Sequence, residues 1–575
     1  MLSLLDPKPK VPQRLKKRVG LKLEARDKQR AEFDRWLLTH EDEVPSEEQQ
    51  EEIAKLSAFE VVEAIKSKER SVTEIMITMC SRAAKSGCKY NSNTEEMFLT
   101  GITAAKAADE KIQKEGTKAL PPLFGLPISI KDPINMTGLD STNGMMTRVN
   151  DPAASDAAIV TALVAAGAIP YVKSNIPQLL MVPESMNRIF GTCKNPWNED
   201  RTPGGSSGGE AALVASLSSF VGIGTDIGGS IRIPSSYCAL SGFKPTPERV
   251  SKSGMRANSL GDSSGQRIIT AVAGPMARNV RDLELIMRAL WSPESEMYQA
   301  DPTLPPVFFS DPPVQSKRRV GFYLEDGWFE CAPSMQRAVE EAKAALESKG
   351  YEVVPFAIPR PYEFVRLYFS LLAADGAMRD MRSGLDGEPV LPEYRSIAQI
   401  SLFPQAARTV TAAALEATGD KRKAHIIKAG GKRSVHEYWG IVAELHAYRD
   451  EFIKAFRDLN LDGLLFPAGS LPALPHGASK DLLVAQSYTY LYNLLHWPAG
   501  TVPVTTVKET ECEFKAAATD EWGSKARAAL VGATGLPVGV QVATLPWKDE
   551  LCLSIMKDLE AALDYNPDFP TDLLC

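Results

Sequence analysis

The chain has 575 residues, 44% of them hydrophobic and 24% charged, enough to bury a large core. Its formal net charge is −7, with no basic excess of the kind that marks a nucleic-acid binder, so no nucleic-acid partner is expected. No apolar run reaches the ~18 residues of a membrane-spanning helix, and the eight scattered cysteines form no C-x-x-C pair, which argues against structural zinc and for reduced thiols.

Residues 1–45 predict a basic N-terminal arm or helix, with Lys8, Lys10, Arg14, Lys16, Lys17, Arg18 and Lys22. The opening MLSLLDPKPKVPQRLKKRVG lacks the apolar stretch of a secretory signal. The cations read either as a solvated face or as a contact with an anionic membrane. Ser46 followed by Gln49 predicts a capping box that starts a helix at Glu47. In residues 123–131, LFGLPISIK, the apolar Leu126, Ile128 and Ile130 alternate as in a strand, with Lys131 at its end. Residues 156–172 predict a helix closing near Gly167 and then a strand.

The alternation continues downstream. Residues 319–323 and 351–356 predict strands, and Met335, Val339, Ala342 and Leu346 mark the helix face between them. Residues 301–317, rich in proline, predict an extended surface crossing. Residues 437–459 predict a helix and 463–466 a buried strand. Residues 535–542, GLPVGVQV, echo the opening of 125–131 and predict a strand neighbouring it; a closing helix follows, with Leu551, Ile555, Leu559 and Leu563 on one face. Strands alternating with helices predict an α/β layered fold. Residues 396–433 pair an apolar, proline-interrupted segment with a basic cluster. They fit either a peripheral membrane contact or a buried helix with a charged exit.

The most informative stretch is 203–234, PGGSSGGEAALVASLSSFVGIGTDIGGSIRIP. Two glycine-flanked serine sites, Ser206-Ser207 and Ser230, bracket an uncharged apolar run. Only glycine lets a backbone approach a small oxygen so closely and take positive φ. None of the six histidines lies between residues 120 and 260, although a distant one could still complete a Ser-His-Asp triad. Residues 204–208 match the G-x-S-x-G nucleophile elbow, but the polar NPWNEDRTP precedes them where an elbow needs a strand. A base other than His is therefore sought. Lys131 qualifies if burial keeps it neutral, and is a surface lysine at a strand end otherwise.

GGSSGGE, GTDIGGSIR and the upstream GLPISIKD together resemble the amidase signature family of serine amidases, over roughly residues 60–565. Within it the likeness is strongest to the animal enzymes that hydrolyse fatty-acid amides, through Asn195-Pro196-Trp197, TDIGGSIRIPSSYC, LSGFKPT, SKSGM, PAGTVPVTTV and GLPVGVQVATLPWKDELCL. The resemblance implies a single α/β domain over residues 46–570, with α/β/α layers around a large twisted mixed β-sheet. It implies a Lys131, Ser206, Ser230 triad, with Ser230 as nucleophile and Ser206, on a cis peptide, as the bridge to Lys131.

It further implies an oxyanion hole from the amides of Ile227, Gly228, Gly229 and Ser230, and supporting roles for Ser207, Asp226 and Arg232. By position Leu180 and Met181 match the acyl-chain site, which Phe364, Leu367, Tyr368 and Phe369 would extend. The implied substrate is a fatty-acid amide lipid, or alternatively a short-chain or aromatic amide; a non-catalytic or amidotransferase-type subunit is the remaining reading. No cofactor and no metal are expected. A homodimer is implied, and so is an intracellular protein, cytosolic or peripheral on endomembranes.

Overall fold

The alternating patterns resolve into thirteen strands in the computed structural model, which describes residues 10–259, 265–313, 317–376, 378–394, 404–513 and 520–573. In chain order they are β1 (Asn93–Glu96), β2 (Pro127–Lys131), β3 (Ile169–Ser174), β4 (Met186–Asn187), β5 (Gly191–Thr192), β6 (Val221–Asp226), β7 (Ser241–Lys244), β8 (Val272–Ala277), β9 (Arg319–Phe322), β10 (Glu352–Pro355), β11 (Gly463–Pro467), β12 (Ala499–Thr506) and β13 (Pro537–Ala543). Eleven form one mixed sheet, ordered β1-β3-β2-β6-β8-β7-β12-β13-β11-β9-β10, while β4 and β5 make a separate ribbon. Helices flank this sheet, giving the expected α/β architecture.

The elements form where the sequence signals them. Ser46 and Gln49 close a reciprocal capping box on the helix Glu47–Lys55. The helix Ala158–Ala165 stops before Gly167, whose φ of +97° only glycine takes freely, and β3 follows. β13 departs from expectation: it pairs with β12 and β11, five places along the sheet from β2. The shared G-L-P opening marks how a chain enters a strand after a positive-φ glycine (Gly125 and Gly535) and carries nothing about its partner.

β2 runs parallel to both β3 and β6. Its last residue, Lys131, and the last residue of β6, Asp226, therefore sit at the same edge of the sheet, the carboxyl edge where open α/β sheets gather their sites. The helix Gly208–Ala215 is buried along its whole length, which its small and apolar residues permit. It packs so tightly that a Cβ on Gly209 would lie 2.3 Å from Asn175 N.

The first described helix, Gln13–Thr39, is less free than a solvated arm. Leu15, Val19 and Phe33 are buried, Lys22 pairs with Glu95 and Asp140, and Arg30 pairs with Glu96. Six cysteines are free thiols (Cys80, Cys193, Cys238, Cys331, Cys512 and Cys552), but Cys88 is disulfide-bonded, against the expectation of reduced thiols throughout. Among the described residues no helix is long and apolar enough to cross a membrane. Of the segment 396–433, residues 396–403 lie outside the described residues; the rest forms the helices Gln405–Ala417 and Lys421–Ala429.

Candidate active site

Lys131 is fully buried at the end of β2. Its Nζ lies 2.7 Å from Ser206 Oγ, 2.8 Å from Thr225 Oγ1 and 3.2 Å from Thr225 O. Burial pushes the ammonium down to about 7, against the pull of Asp226, Glu210 and Asp132. Near neutral pH a large fraction of the amine is therefore uncharged, with a lone pair available to accept the Ser206 proton.

Ser206 follows a cis peptide from Gly205. No strand leads into it, which removes the nucleophile-elbow reading. All six histidines are described, and none contacts Ser206 or Ser230: His476, for example, bonds Glu184 and Glu199 O, and His496 bonds Ile268 O. Ser207 N–H donates to Ser230 O at 3.2 Å, and its hydroxyl accepts from Thr225 N at 3.4 Å, so Ser207 ties the two serine loops together. Among the described residues no hydrogen bond joins the Ser206 and Ser230 hydroxyls. Both line one cavity of about 1160 Å³, with Ser206 2% and Ser230 8% exposed.

The loop after β6 is held from beneath by a buried ion pair. Arg232 Nε and Nη2 each lie 3.1 Å from an oxygen of Asp226. Asp226 also accepts from Gly229 N at 2.8 Å, Ile231 N at 3.1 Å and Asn493 Nδ2 at 2.8 Å. Arg232 completes its fork on Gln541 Oε1 and Asn493 Oδ1. Burial alone would raise the Asp226 carboxyl, but the Arg232 guanidinium, Lys244 and the Asn493 amide hold it well below the usual carboxylate range. A buried pair is stable only when every polar atom is satisfied in this way. Of the four amides of the loop, Gly229 is thus committed to Asp226, while those of Ile227, Gly228 and Ser230 bond no group among the described residues.

Leu180 and Met181 line the cavity. They also line a small apolar pocket of about 50 Å³ beside Ser230, together with Ile233, Tyr368, Phe369 and Tyr490. Phe364 and Leu367 do not reach either space. Both are fully buried in the core, beneath the residues of the helix Pro361–Leu372 that line these spaces. Sequence reasoning did not find Thr225, Thr489, Asn493 or Gln541. Gln541 left one signal, an amide in the otherwise apolar GLPVGVQV; the others are ordinary polar residues until the fold brings them to the serine loops.

A family profile described as Amidase matches residues 74–553. The chain is 38% identical over 445 residues to fatty-acid amide hydrolase 1 of Sus scrofa, covering 76% of this chain and 75% of that protein. It is 35% identical over 448 residues to fatty acid amide hydrolase 1 of Caenorhabditis elegans, covering 77% of each. A solved structure of a fatty acid amide hydrolase superposes with a TM-score of 0.76 at 25% identity, covering 97% of this chain and 92% of that one. With its mixed eleven-stranded sheet and its two serine loops at one sheet edge, the chain belongs to the amidase signature family and is a hydrolase of amides.

Proposed function

We propose that the chain hydrolyses fatty-acid amides, N-acylethanolamines and primary fatty amides among them, to a free fatty acid and an amine through an acyl-enzyme on Ser230. The observation that carries the mechanism is the 2.7 Å contact of buried Lys131 Nζ with Ser206 Oγ. Neutral Lys131 takes the Ser206 proton as Ser206 takes that of Ser230, and Ser230 Oγ attacks the amide carbonyl. The contact between the two hydroxyls tightens with substrate bound, as catalytic hydrogen bonds commonly do. The amides of Ile227, Gly228 and Ser230 receive the oxyanion, with Gly229 fixing the turn. The proton returns through Ser206 to the leaving nitrogen, which departs as amine. Water then repeats the cycle and releases the acid.

Fatty-acid amides are favoured as substrates by the names of the pig and nematode relatives and by apolar Leu180, Met181, Tyr368 and Phe369 beside Ser230. Peripheral membrane contact fits the same reading. Val435 and Trp439 are 64% and 68% exposed on one helix face, and Val435, Tyr438 and Arg433 line the cavity.

Two measurements test the proposal. A fluorophosphonate probe labels the wild type and fails to label Ser230→Ala; labelling of Ser230→Ala with loss in Ser206→Ala overturns the assignment. A hydrolysis panel from acetamide to oleamide and an N-acylethanolamine gives kcat/KM rising with acyl length. A maximum at acetamide or an aromatic amide makes the chain a short-chain or aromatic amidase instead.

A further inference from the structure

The peptide planes of the loop after β6 are fixed by two hydroxyls that come from far along the chain. The Ile227 carbonyl accepts from Tyr368 OH at 3.4 Å. The Gly228 carbonyl accepts from Thr489 Oγ1 at 2.7 Å. The Gly229 N–H donates to Asp226 Oδ1 at 2.8 Å. The peptide between Gly228 and Gly229 is therefore held at both ends, its oxygen by Thr489 and its N–H by Asp226. The amides on either side of it, Gly228 N and Ser230 N, bond no group among the described residues.

Thr489 sits on the helix Ser487–Leu494, and it fits the loop closely. A Cβ on Gly229 would lie 2.2 Å from Thr489 Oγ1, and Gly229 has a φ of +114°, so this position needs glycine on both counts. Two other residues fix the helix against the loop: Asn493, one turn on, bonds both Asp226 and Arg232, and the ring of Tyr490 stacks on Tyr368 with centroids 4.4 Å apart. The Thr489 hydroxyl also lies 2.8 Å from Gln486 O, so a single proton is shared between the Gly228 carbonyl and its own helix.

We infer that Thr489 is a positioning residue for the oxyanion hole, an inference that rests on the Ser230 reading above. Donors stabilise a developing charge best when they are aimed before the charge appears. The Gly228–Gly229 peptide has no side chain on either residue to restrict its rotation. With its oxygen anchored on Thr489 and its N–H on Asp226, the plane is fixed and so is the setting of the two flanking amides. Without the hydroxyl, the half-buried Gly228 carbonyl is left unpaired, and the plane rotates to find a partner. That rotation turns Gly228 N away from the reacting carbonyl and brings the negative end of a peptide dipole closer to it.

Thr489→Val keeps the shape and removes the hydroxyl, while Thr489→Ser keeps the hydroxyl. We expect Thr489→Val to lower kcat by about tenfold or more, less than the ~10²–10³ for loss of a direct donor, with KM within twofold. The rate of inactivation by a fluorophosphonate, whose phosphoryl oxygen occupies the same hole, falls in parallel. Thr489→Ser retains most of both rates. Thr489→Ala, which suits a helix interior, carries the same expectation as Thr489→Val and serves if valine disturbs folding. Thermal midpoints are compared throughout. The inference is overturned if Thr489→Val and Thr489→Ala keep kcat within twofold, or if Thr489→Ser falls as far as they do. If Ser230→Ala keeps its activity, the parent reading fails instead.

Discussion

Lys131 is where burial and charge compete most directly. Desolvation pushes its ammonium down to about 7, while Asp226, Glu210 and Asp132 limit the fall. A base works only in its uncharged form, so the sign is fixed: activity is low where Lys131 is protonated and rises as the proton leaves. We expect kcat/KM to climb from pH 5, reach half its maximum near pH 7 and level off above pH 8. Lys131→Ala loses ~10²–10⁴-fold in kcat/KM and flattens the profile. A wild-type profile with its midpoint near pH 10, that of an ordinary lysine, rules the amine out as the base. Spacing and residue type made Lys131 a candidate, but whether it was buried depended on β3 and β6 closing over it from both sides. The Thr225 contacts, likewise, exist only because β6 lies beside β2.

The segment running through Ser383–Leu385 to Tyr394 shows how an element unremarkable in sequence can shape a site wall. Gln178 Nε2 donates to Glu388 Oε1 at 2.6 Å, Met146 N donates to Glu388 Oε2 at 2.7 Å, and Tyr394 OH donates to Gln178 O and accepts from Met181 N. Between these anchors Leu179 and Leu180 both hold φ of 63°, a conformation that side-chain-bearing residues keep only when their surroundings impose it. Leu180 and Met181 were matched to an acyl-chain site from position alone, and both stand on the cavity wall; the strap that fixes them has no periodicity or motif to announce it. Burial raises the Glu388 carboxyl to about 7, against the pull of its Gln178, Met146 and Arg188 neighbours. A raised carboxylate contributes stability that is complete below its unfolded pKa near 4.5 and is lost as pH rises through 7. The shift corresponds to about 3 kcal/mol. The wild-type thermal midpoint should therefore fall between pH 5 and pH 8, and Glu388→Gln, which cannot ionise, should fall by clearly less. Equal falls in the two proteins remove Glu388 as the source.

At the scale of the whole molecule, the α/β alternation was legible because strands and helices carry different periods, and the serine loops were legible because their glycines serve close backbone contacts. Strand order was not legible, since pairing depends on contacts hundreds of residues apart, as β13 illustrates. Nor was the fate of the N-terminal cations. Lys22 and Arg30 lie on acidic β1 and its surroundings, and Arg14 pairs with Asp386, so charges that looked available to a membrane are partly neutralised by the protein itself. The membrane contact proposed above draws instead on exposed side chains near the cavity, Val435 and Trp439, which are one turn apart on the helix Val435–Asp458, with Val410 70% exposed on the helix Gln405–Ala417. On that proposal, exposed aromatic and branched side chains near a basic stretch would insert into the boundary between headgroups and acyl chains, and a lipid amide would reach the cavity without a journey through water. Trp439→Glu with Val410→Glu, neither of which lines the cavity, is therefore expected to reduce cosedimentation with phosphatidylserine–phosphatidylcholine vesicles by about tenfold. The same pair lowers the rate on vesicle-borne oleamide, while hydrolysis of a water-soluble short amide stays within twofold of wild type because the serine loops are untouched. Unchanged cosedimentation in the double variant would move the membrane contact elsewhere on the molecule, or remove it.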